Sequence, residues 1–356
     1  MYDNLRFTAA NGRSPLAKAI LRSAQAGGGI YVPTVDDMRE AGFRALSPLS
    51  DKAQVVVDRA VVDVGLERLQ FVADLIDEGL VYNLPDPLSA PQLEWDQESK
   101  AGGAIRVMSP AARGESSLTD RKHLRLPIYC TLDEFSLDIR TLKMSERVGQ
   151  PLDTSLIKQK TRRVTESVED AGINGATTAD GQNLFVAGYG APGLVNAPDA
   201  NTYNLTADWT GTNTIGTTGP AMVQDVLNMI GILQADKKFG PYNLYLGTKA
   251  GLMIQGDFKV NTTDTIRNRI GMIDYGGRPV RIRIADRMPQ LSTGGPQCAL
   301  VQMTDDVVQI VNGQPPTVIP WTSLDGFTLN WIILAIMVPR VREDYDGNSG
   351  VCLGNH

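Results

Sequence analysis

Residues Arg125 to Gly175 read RLPIYCTLDEFSLDIRTLKMSERVGQPLDTSLIKQKTRRVTESVEDAGING, an alternating strand, a hinge and one long two-faced helix with no catalytic apparatus among them. LRLPIYCTL alternates apolar and polar residues as a half-buried strand does. Asp153, Thr154 and Ser155 supply capping chemistry for a helix over 153–174. On it, Leu156, Ile157, Lys160, Val164, Val168 and Ala171 fall along one side. Lys158, Arg162, Arg163, Glu166, Glu169 and Asp170 stand at spacings that give surface ion pairs three or four residues apart. Asn174 and Gly175 end the helix. The stretch reads as a building element.

Upstream, SPLAKAILRSAQA (14–26) predicts a short helix that stops at Gly27, Gly28 and Gly29, a second covers Val35 to Leu46, and a long one runs from Ser50 to Gly79. Between Leu84 and Leu124 the composition turns to Pro, Gly and polar residues, with brief strand-like pieces around LEW and AIRVM. Such a segment cannot build a core of its own. It is a lid, a disordered stretch, or an extended hairpin ordered by a neighbour.

Downstream, Gly181 to Gly219 is loop-rich, and Pro220 opens a helix through Ala235 that Gly240 closes off. YNLYLGT reads as a buried strand, KAGLMIQ as a short helix, and RPVRIRIAD as an alternating strand with its arginines outward. The end of the chain offers DDVVQIVNG, a turn around Pro315 and Pro316, and two strands in FTLNWIILAIMVPRVRED, apolar enough to need cover on both faces. Sheets and helices mix in an α+β pattern.

The chain has 356 residues, 42% hydrophobic and 21% charged, with a formal net charge of -6. Length predicts two domains or one domain with an insertion. The negative charge speaks against a nucleic-acid reader built on a dominant basic surface. The exception is the amino-terminal arm, where Arg6, Arg13, Lys18 and Arg22 face Asp3 alone. Cys130, Cys298 and Cys352 lack the spacing of a zinc site or disulfide framework and read as idle thiols of a reducing compartment. The strongest apolar run, WIILAIMV, is about half the length that spans a bilayer.

Chemistry is offered and mostly declined. GYGAPG, with Gly188, Gly190 and Gly193, has dinucleotide-loop spacing, but no helix follows it and Pro192 sits inside it, so it reads as a glycine-rich turn. Only His123 could serve a histidine-dependent site, since His356 ends the sequence, and its neighbours Arg121, Lys122 and Arg125 would oppose a metal. No catalytic residue, cofactor or metal site is predicted.

With these residues in view, the chain resembles the major capsid proteins of tailed bacteriophages and the related encapsulin shell proteins. The resemblance runs in order through LRLPIYCTL…VEDAGINGA, GLVN (193–196) and FGPYNLYLGTKAGLMI (239–254). It implies an amino-terminal arm (1–50) and a peripheral domain (51–185) with an extended loop (84–124) and a spine helix (153–174). An axial domain (186–310) and carboxy-terminal strands (311–356) returning to the peripheral domain complete it.

It further implies assembly into pentamers and hexamers of an icosahedral head around double-stranded DNA, touched without sequence preference. The expected partners are other copies, a separate scaffolding protein, a portal protein and, optionally, a decoration protein, with no membrane. Its place would be the virion capsid, assembled in the host cytoplasm. Candidate inter-subunit or genome-facing residues are Arg6, Arg13, Lys18, Arg22, Trp95, Lys100, Arg106, Arg113, Arg162, Glu166 and Glu169. An isopeptide bond from Lys100 to Asn348 or Asn355 lacks a matching motif. The rival readings are an encapsulin-like compartment with a cargo enzyme, and a soluble enzyme with a large lid.

Overall fold

The computed structural model describes residues 70–100, 119–138, 140, 144, 155–178, 181–186, 188–211, 217–259, 263–275, 277–289, 295–322 and 328–356. The two helices expected before residue 50, the caps at 153–154 and most of the helix expected over 50–79 lie outside them. The expected single helix is interrupted at Gln70, after which a helix α1 (Phe71–Asp77) begins within its span. Gly79, at φ +75°, ends it as expected. The Gly79 N–H bonds Ile76 C=O and the Leu80 N–H bonds Leu75 C=O, the paired closure that a left-handed residue after a helix permits.

Two sheets organise the rest. The first has the order β1 (Val81–Asn83), β13 (Val308–Thr322), β14 (Thr328–Val341), β4 (Thr131–Asp138). The long helix α2 (Ser155–Asn174) lies across β4 and β14. Its apolar stripe, Ile157, Val164 and Val168, shares a core with Phe71, Phe135, Trp331 and Ile333. Phe135 and Trp331, opposite each other in the β4–β14 ladder, stack at 5.0 Å and 7°.

The second sheet has the order β11 (Arg281–Ile284), β8 (Tyr242–Leu246), β12 (Pro296–Gln302), β15 (Val351–Asn355), β7 (Asn201–Asn204). Helix α3 (Thr218–Ala235) covers one face, where Met222, Val226, Met229 and Leu233 meet Leu244, Leu246, Cys298, Leu300 and Cys352. The pleat sends the alternate residues, Tyr245, Ala299, Val301 and Leu353, into the core of the first sheet. Every residue of β8, the polar Asn243 included, is therefore buried, as expected of YNLYLGT. The short helices α4 (Thr248–Met253) and α5 (Ile266–Gly271) and the small β9–β10 hairpin (Asp274–Tyr275, Arg278–Pro279) flank this sheet.

Several expectations are corrected. LRLPIYCTL is not one strand: β3 (Arg121–Pro127) ends at Pro127 and β4 begins at Thr131, because the two segments serve different sheets. Pro315 and Pro316 make no turn. They sit inside the continuous β13, where the register to β14 shifts between Asn312 and Thr317, a bulge that tolerates residues without an N–H. The FTLNWIILAIMVPRVRED segment forms the single strand β14. The carboxy-terminal segment does not all return to the sheet of α2: β13 and β14 do, but β15 pairs β12 and β7 in the second sheet. Val351 and Leu353 face one core and Cys352 the other, a two-sided burial that only a central strand provides. The thiols of Cys298 and Cys352 are buried and that of Cys130 is exposed, all three free.

Candidate functional site

The GLVN segment completes α2. A helix end leaves its last carbonyls without partners. Here the Gly175 N–H bonds Ala171 C=O at 3.1 Å, Leu194 N–H bonds Gly172 C=O at 2.9 Å, and Val195 N–H bonds Ile173 C=O at 2.8 Å. Asn196 Nδ2 donates to Asn174 C=O at 2.6 Å. Gly193 permits the approach, since a Cβ there would overlap the backbone of Gly175 and Ile173. Of the glycines read as a turn, Gly188 lies between β5 (Phe185–Val186) and β6 (Tyr189–Gly190) of a small hairpin and Gly190 within β6, while Gly193 serves the helix end.

The extended segment forms a two-stranded ribbon, β2 (Gln92–Glu98) antiparallel to β3. Among the described residues each strand pairs only with the other, so both outer edges carry unpaired backbone groups. Residues 101–118, with Arg106 and Arg113, lie outside the description, as do Arg6, Arg13, Lys18 and Arg22. One face of the ribbon is a cross-strand charge ladder: Glu98–Arg121 at 2.8 Å, Asp96–His123 at 2.6 Å and Glu94–Arg125 at 3.1 Å. The Asp96 carboxylate, and after it Glu94, raises the His123 imidazole above its ordinary range by hydrogen-bonding it.

The other face grips the segment that follows β14. The Trp95 ring lies 4.2 Å from the guanidinium of Arg340, a residue only 6% exposed. Arg340 hydrogen-bonds Gln309 Oε1 at 3.3 Å, and burial pulls it down to about 10. Gln97 Nε2 donates to the Glu343 carbonyl at 2.7 Å. Lys100 reaches Asp344 at 2.5 Å and Asp346 at 2.7 Å, Lys122 reaches Glu343 at 3.2 Å, and Tyr345 donates to Asp120 at 2.8 Å. One turn of chain, Glu343 to Asp346, thus holds the far end of the described ribbon, the end next to residues 101–118.

A cleft of about 320 Å³ lies beside this contact, lined by Trp95, Asp96, Gln97, Lys238, Asp306, Arg342, Glu343 and Asp344. Lys238 pairs with Asp306 at 2.6 Å, Glu343 with Lys122, Asp344 with Lys100, and Asp96 with His123, while Arg342 donates to the Asp305 carbonyl. It is a packing seam and presents no nucleophile with a base beside it. Among the described residues no cluster of His, Cys, Asp and Glu has metal-holding geometry, and no helix is long and apolar enough to cross a membrane.

The remaining candidates divide. Arg162 and Glu166 form the surface pair their spacing predicts, at 2.9 Å, with Arg287 joining Glu166 at 2.8 Å. Glu169 is not on the surface. It is 2% exposed, and its carboxylate accepts the N–H groups of Phe71 and Val72 at 2.7 and 3.0 Å, capping the start of α1. It therefore makes no inter-subunit surface. The arginines of RPVRIRIAD are corrected in part: Arg281 is exposed, as expected, but it and Arg278 of β10 both bind Glu78, and Arg283 lies 3.1 Å from the buried Asp74, so the three also tie their strands to α1 and the Glu78 that ends it. Sequence reading missed Arg340 and the Glu343–Asp346 turn, whose only signal was the run REDYD after an apolar strand.

A family model described as a family of unknown function, DUF6260, matches residues 93–354. No curated protein matches the chain. Among solved structures, the capsid of Myoviridae phage XM1 is similar at 13% identity and TM-score 0.57, covering 75% of this chain and 86% of that one. The capsid of a native GTA particle is similar at 11% identity and TM-score 0.58, covering 90% and 98%. A virus-like particle from Pyrococcus furiosus is similar at 12% identity and TM-score 0.52, covering 84% and 98%. The α+β fold is that of tailed-phage major capsid subunits, as the resemblance implied.

Proposed function

The chain belongs to the DUF6260 family, and from that premise and its fold we propose that it is a structural subunit of a closed protein shell. Copies assemble into the pentamers and hexamers of an icosahedral phage head around double-stranded DNA. The protein is not an enzyme in this reading. A separate scaffolding protein guides assembly in the host cytoplasm, a portal protein occupies one vertex, and a decoration protein is an optional addition. The basic arm of Arg6, Arg13, Lys18 and Arg22 touches phosphates without reading sequence.

The observation that carries this is the ribbon. An isolated two-stranded ribbon is marginal in water. One face of this one is held to its own chain from Trp95 out to Lys100, while its outer edges find no backbone partner among the described residues. A neighbouring copy supplies such a partner, and a ligand site under a lid does not need one. The division into arm, peripheral domain, axial domain and returning strands belongs to the same reading, with β15 assigned to the axial side.

Deleting residues 90–120 tests it. A folded subunit that no longer forms stable shells is expected, and normal shells from the deletion would refute the interlocking role. The likeness to the Pyrococcus furiosus particle supports a second reading, an encapsulin-like compartment around a cargo enzyme. Absorbance of purified particles at about 260 nm separates the two, since only a packaged genome gives a nucleic-acid spectrum.

A further inference from the structure

The turn that holds the ribbon also gathers oxygens that its two lysines leave unsatisfied. The Glu343 side chain is 7% exposed, and while Oε1 meets Lys122 at 3.2 Å, the buried Oε2 finds no donor among the described residues. Within hydrogen-bonding reach of that carboxylate lies a second one, Asp199. Asp199 also rests on the turn itself, its carboxylate 3.2 Å from where a Cβ on Gly347 would stand. Gln97 of β2 is 9% exposed; its Nε2 is spent on the Glu343 carbonyl at 2.7 Å, and its buried Oε1 has no donor among the described residues either. Gln97, Glu343 and Asp344 line the same cleft. Asp344 and Asp346 converge on one cationic centre, Lys100 Nζ, at 2.5 and 2.7 Å, and the Asn348 side-chain amide reaches the same Asp344 oxygen at 3.4 Å.

We propose that the turn binds one calcium ion through Glu343, Asp199, Asp344 and the Gln97 amide oxygen, and that the ion ties the ribbon to its own chain. Charge points to a divalent cation. Asp199, Glu343, Asp344 and Asp346 are four carboxylates, and only Lys100 and Lys122 answer them. The other charges around the cleft pair off: Lys238 with Asp306, His123 with Asp96, and Arg342 beside Asp305. Asp120, which accepts the Tyr345 hydroxyl, adds further negative charge next to the turn. Two carboxylates that face each other across a poorly screening interior repel unless a cation stands between them.

The donor set selects the ion. Carboxylate and amide oxygens suit a hard cation, and the turn offers none of the nitrogen or sulfur that zinc takes. Carboxylates alone form no metal cluster among the described residues, and the amide oxygens of Gln97 and Asn348 are what complete the set. Calcium accepts six to eight oxygens in irregular arrangements, whereas magnesium demands a near-ideal octahedron and keeps its waters. Asp344, Asp346 and Asn348 carry side-chain oxygens at every second position, the spacing with which calcium-binding loops begin. The ion joins Gln97 of β2 to the turn after β14, so its binding tightens the clamp. The site lies within one subunit and stands or falls apart from shell assembly.

Titration of the chelator-treated full chain with terbium ions, whose luminescence the neighbouring Trp95 and Tyr345 sensitise, tests this. Saturable luminescence is expected, displaced by calcium and not by an equal concentration of magnesium. At calcium about ten times its dissociation constant, amide exchange in β2 and β3 slows about tenfold. Asp199→Asn combined with Glu343→Gln replaces two charged ligands by amides of the same shape and abolishes both effects, while Asp86→Asn, at an exposed carboxylate elsewhere, keeps them. No calcium response in the unaltered chain, or an undiminished one in the double variant, overturns the proposal. If the double variant does not fold, Trp95→Phe with Tyr345→Phe decides: loss of most of the sensitised luminescence places the ion at the turn, and full luminescence refutes the site.

Discussion

Trp95→Ala should free the ribbon without unfolding the body. The Trp95 ring is half-buried, and it packs beside Leu93, Tyr129 and Leu184 against a small core of Leu126, Ala171, Val311 and Val338. Truncating a fully buried tryptophan costs about 3–5 kcal/mol, so half-burial suggests about 2. The face of the ring over Arg340 adds about 1 kcal/mol at this partly desolvated site. A local cost of about 2–3 kcal/mol speeds exchange through local opening by roughly 30- to 150-fold. Amide hydrogen exchange should show that increase in β2 and β3, while β8, β12 and the middle of β14 keep their protection. Arg340→Met replaces a buried guanidinium by an apolar chain. Combined with Trp95→Ala it should give less than the sum of the two effects, because the ring and the cation are partners. Unchanged exchange in β2 and β3, or an equal increase in β8, would refute the clamp.

Gly193→Ala should cost about 1–3 kcal/mol, read as a lower urea midpoint, because the new methyl meets the backbone that closes α2. Trp331→Ala should cost about 3–5 kcal/mol in the same assay by removing the ring stacked on Phe135. His123 should titrate above its ordinary value of 6.5 by NMR. Its raised folded value means that the support it lends the ribbon is full below pH 6.5 and fades as pH rises through that folded value. Asp96→Asn should bring its titration back toward the ordinary value, and a His123 that titrates normally beside an intact Asp96 would contradict the ladder.

What could be read from the sequence followed from periodicity. The stripe Ile157, Val164, Val168 placed α2 and its buried face, and the five apolar or aromatic-flanked positions of YNLYL placed β8 in a two-sided interior. GLVN entered only as part of the capsid-protein resemblance, and nothing local showed that its groups take the carbonyls that end α2. Glu169 escaped because helical spacing assigns a face but cannot tell which charged residue on the boundary meets another helix's free N–H groups. The arginines of RIRI were legible in part for a related reason: alternation shows that Arg281 and Arg283 share a side, on which Arg281 is exposed, and only the tertiary fold brings α1, with Asp74 and Glu78, to that side. The prolines of β13 misled because local turn chemistry yields to a long antiparallel partner that can absorb a bulge. The anchor at Glu343–Asp346 lies more than 200 positions from the ribbon it holds, as the Lys100–Asp344 and Lys122–Glu343 pairs show, and no local pattern links such distant segments.

Electron microscopy of the concentrated, purified chain tests the central claim most directly. Arcs, rings or closed shells of uniform curvature, built from repeating copies of this subunit, are the predicted result. A population of single subunits at every concentration would contradict it.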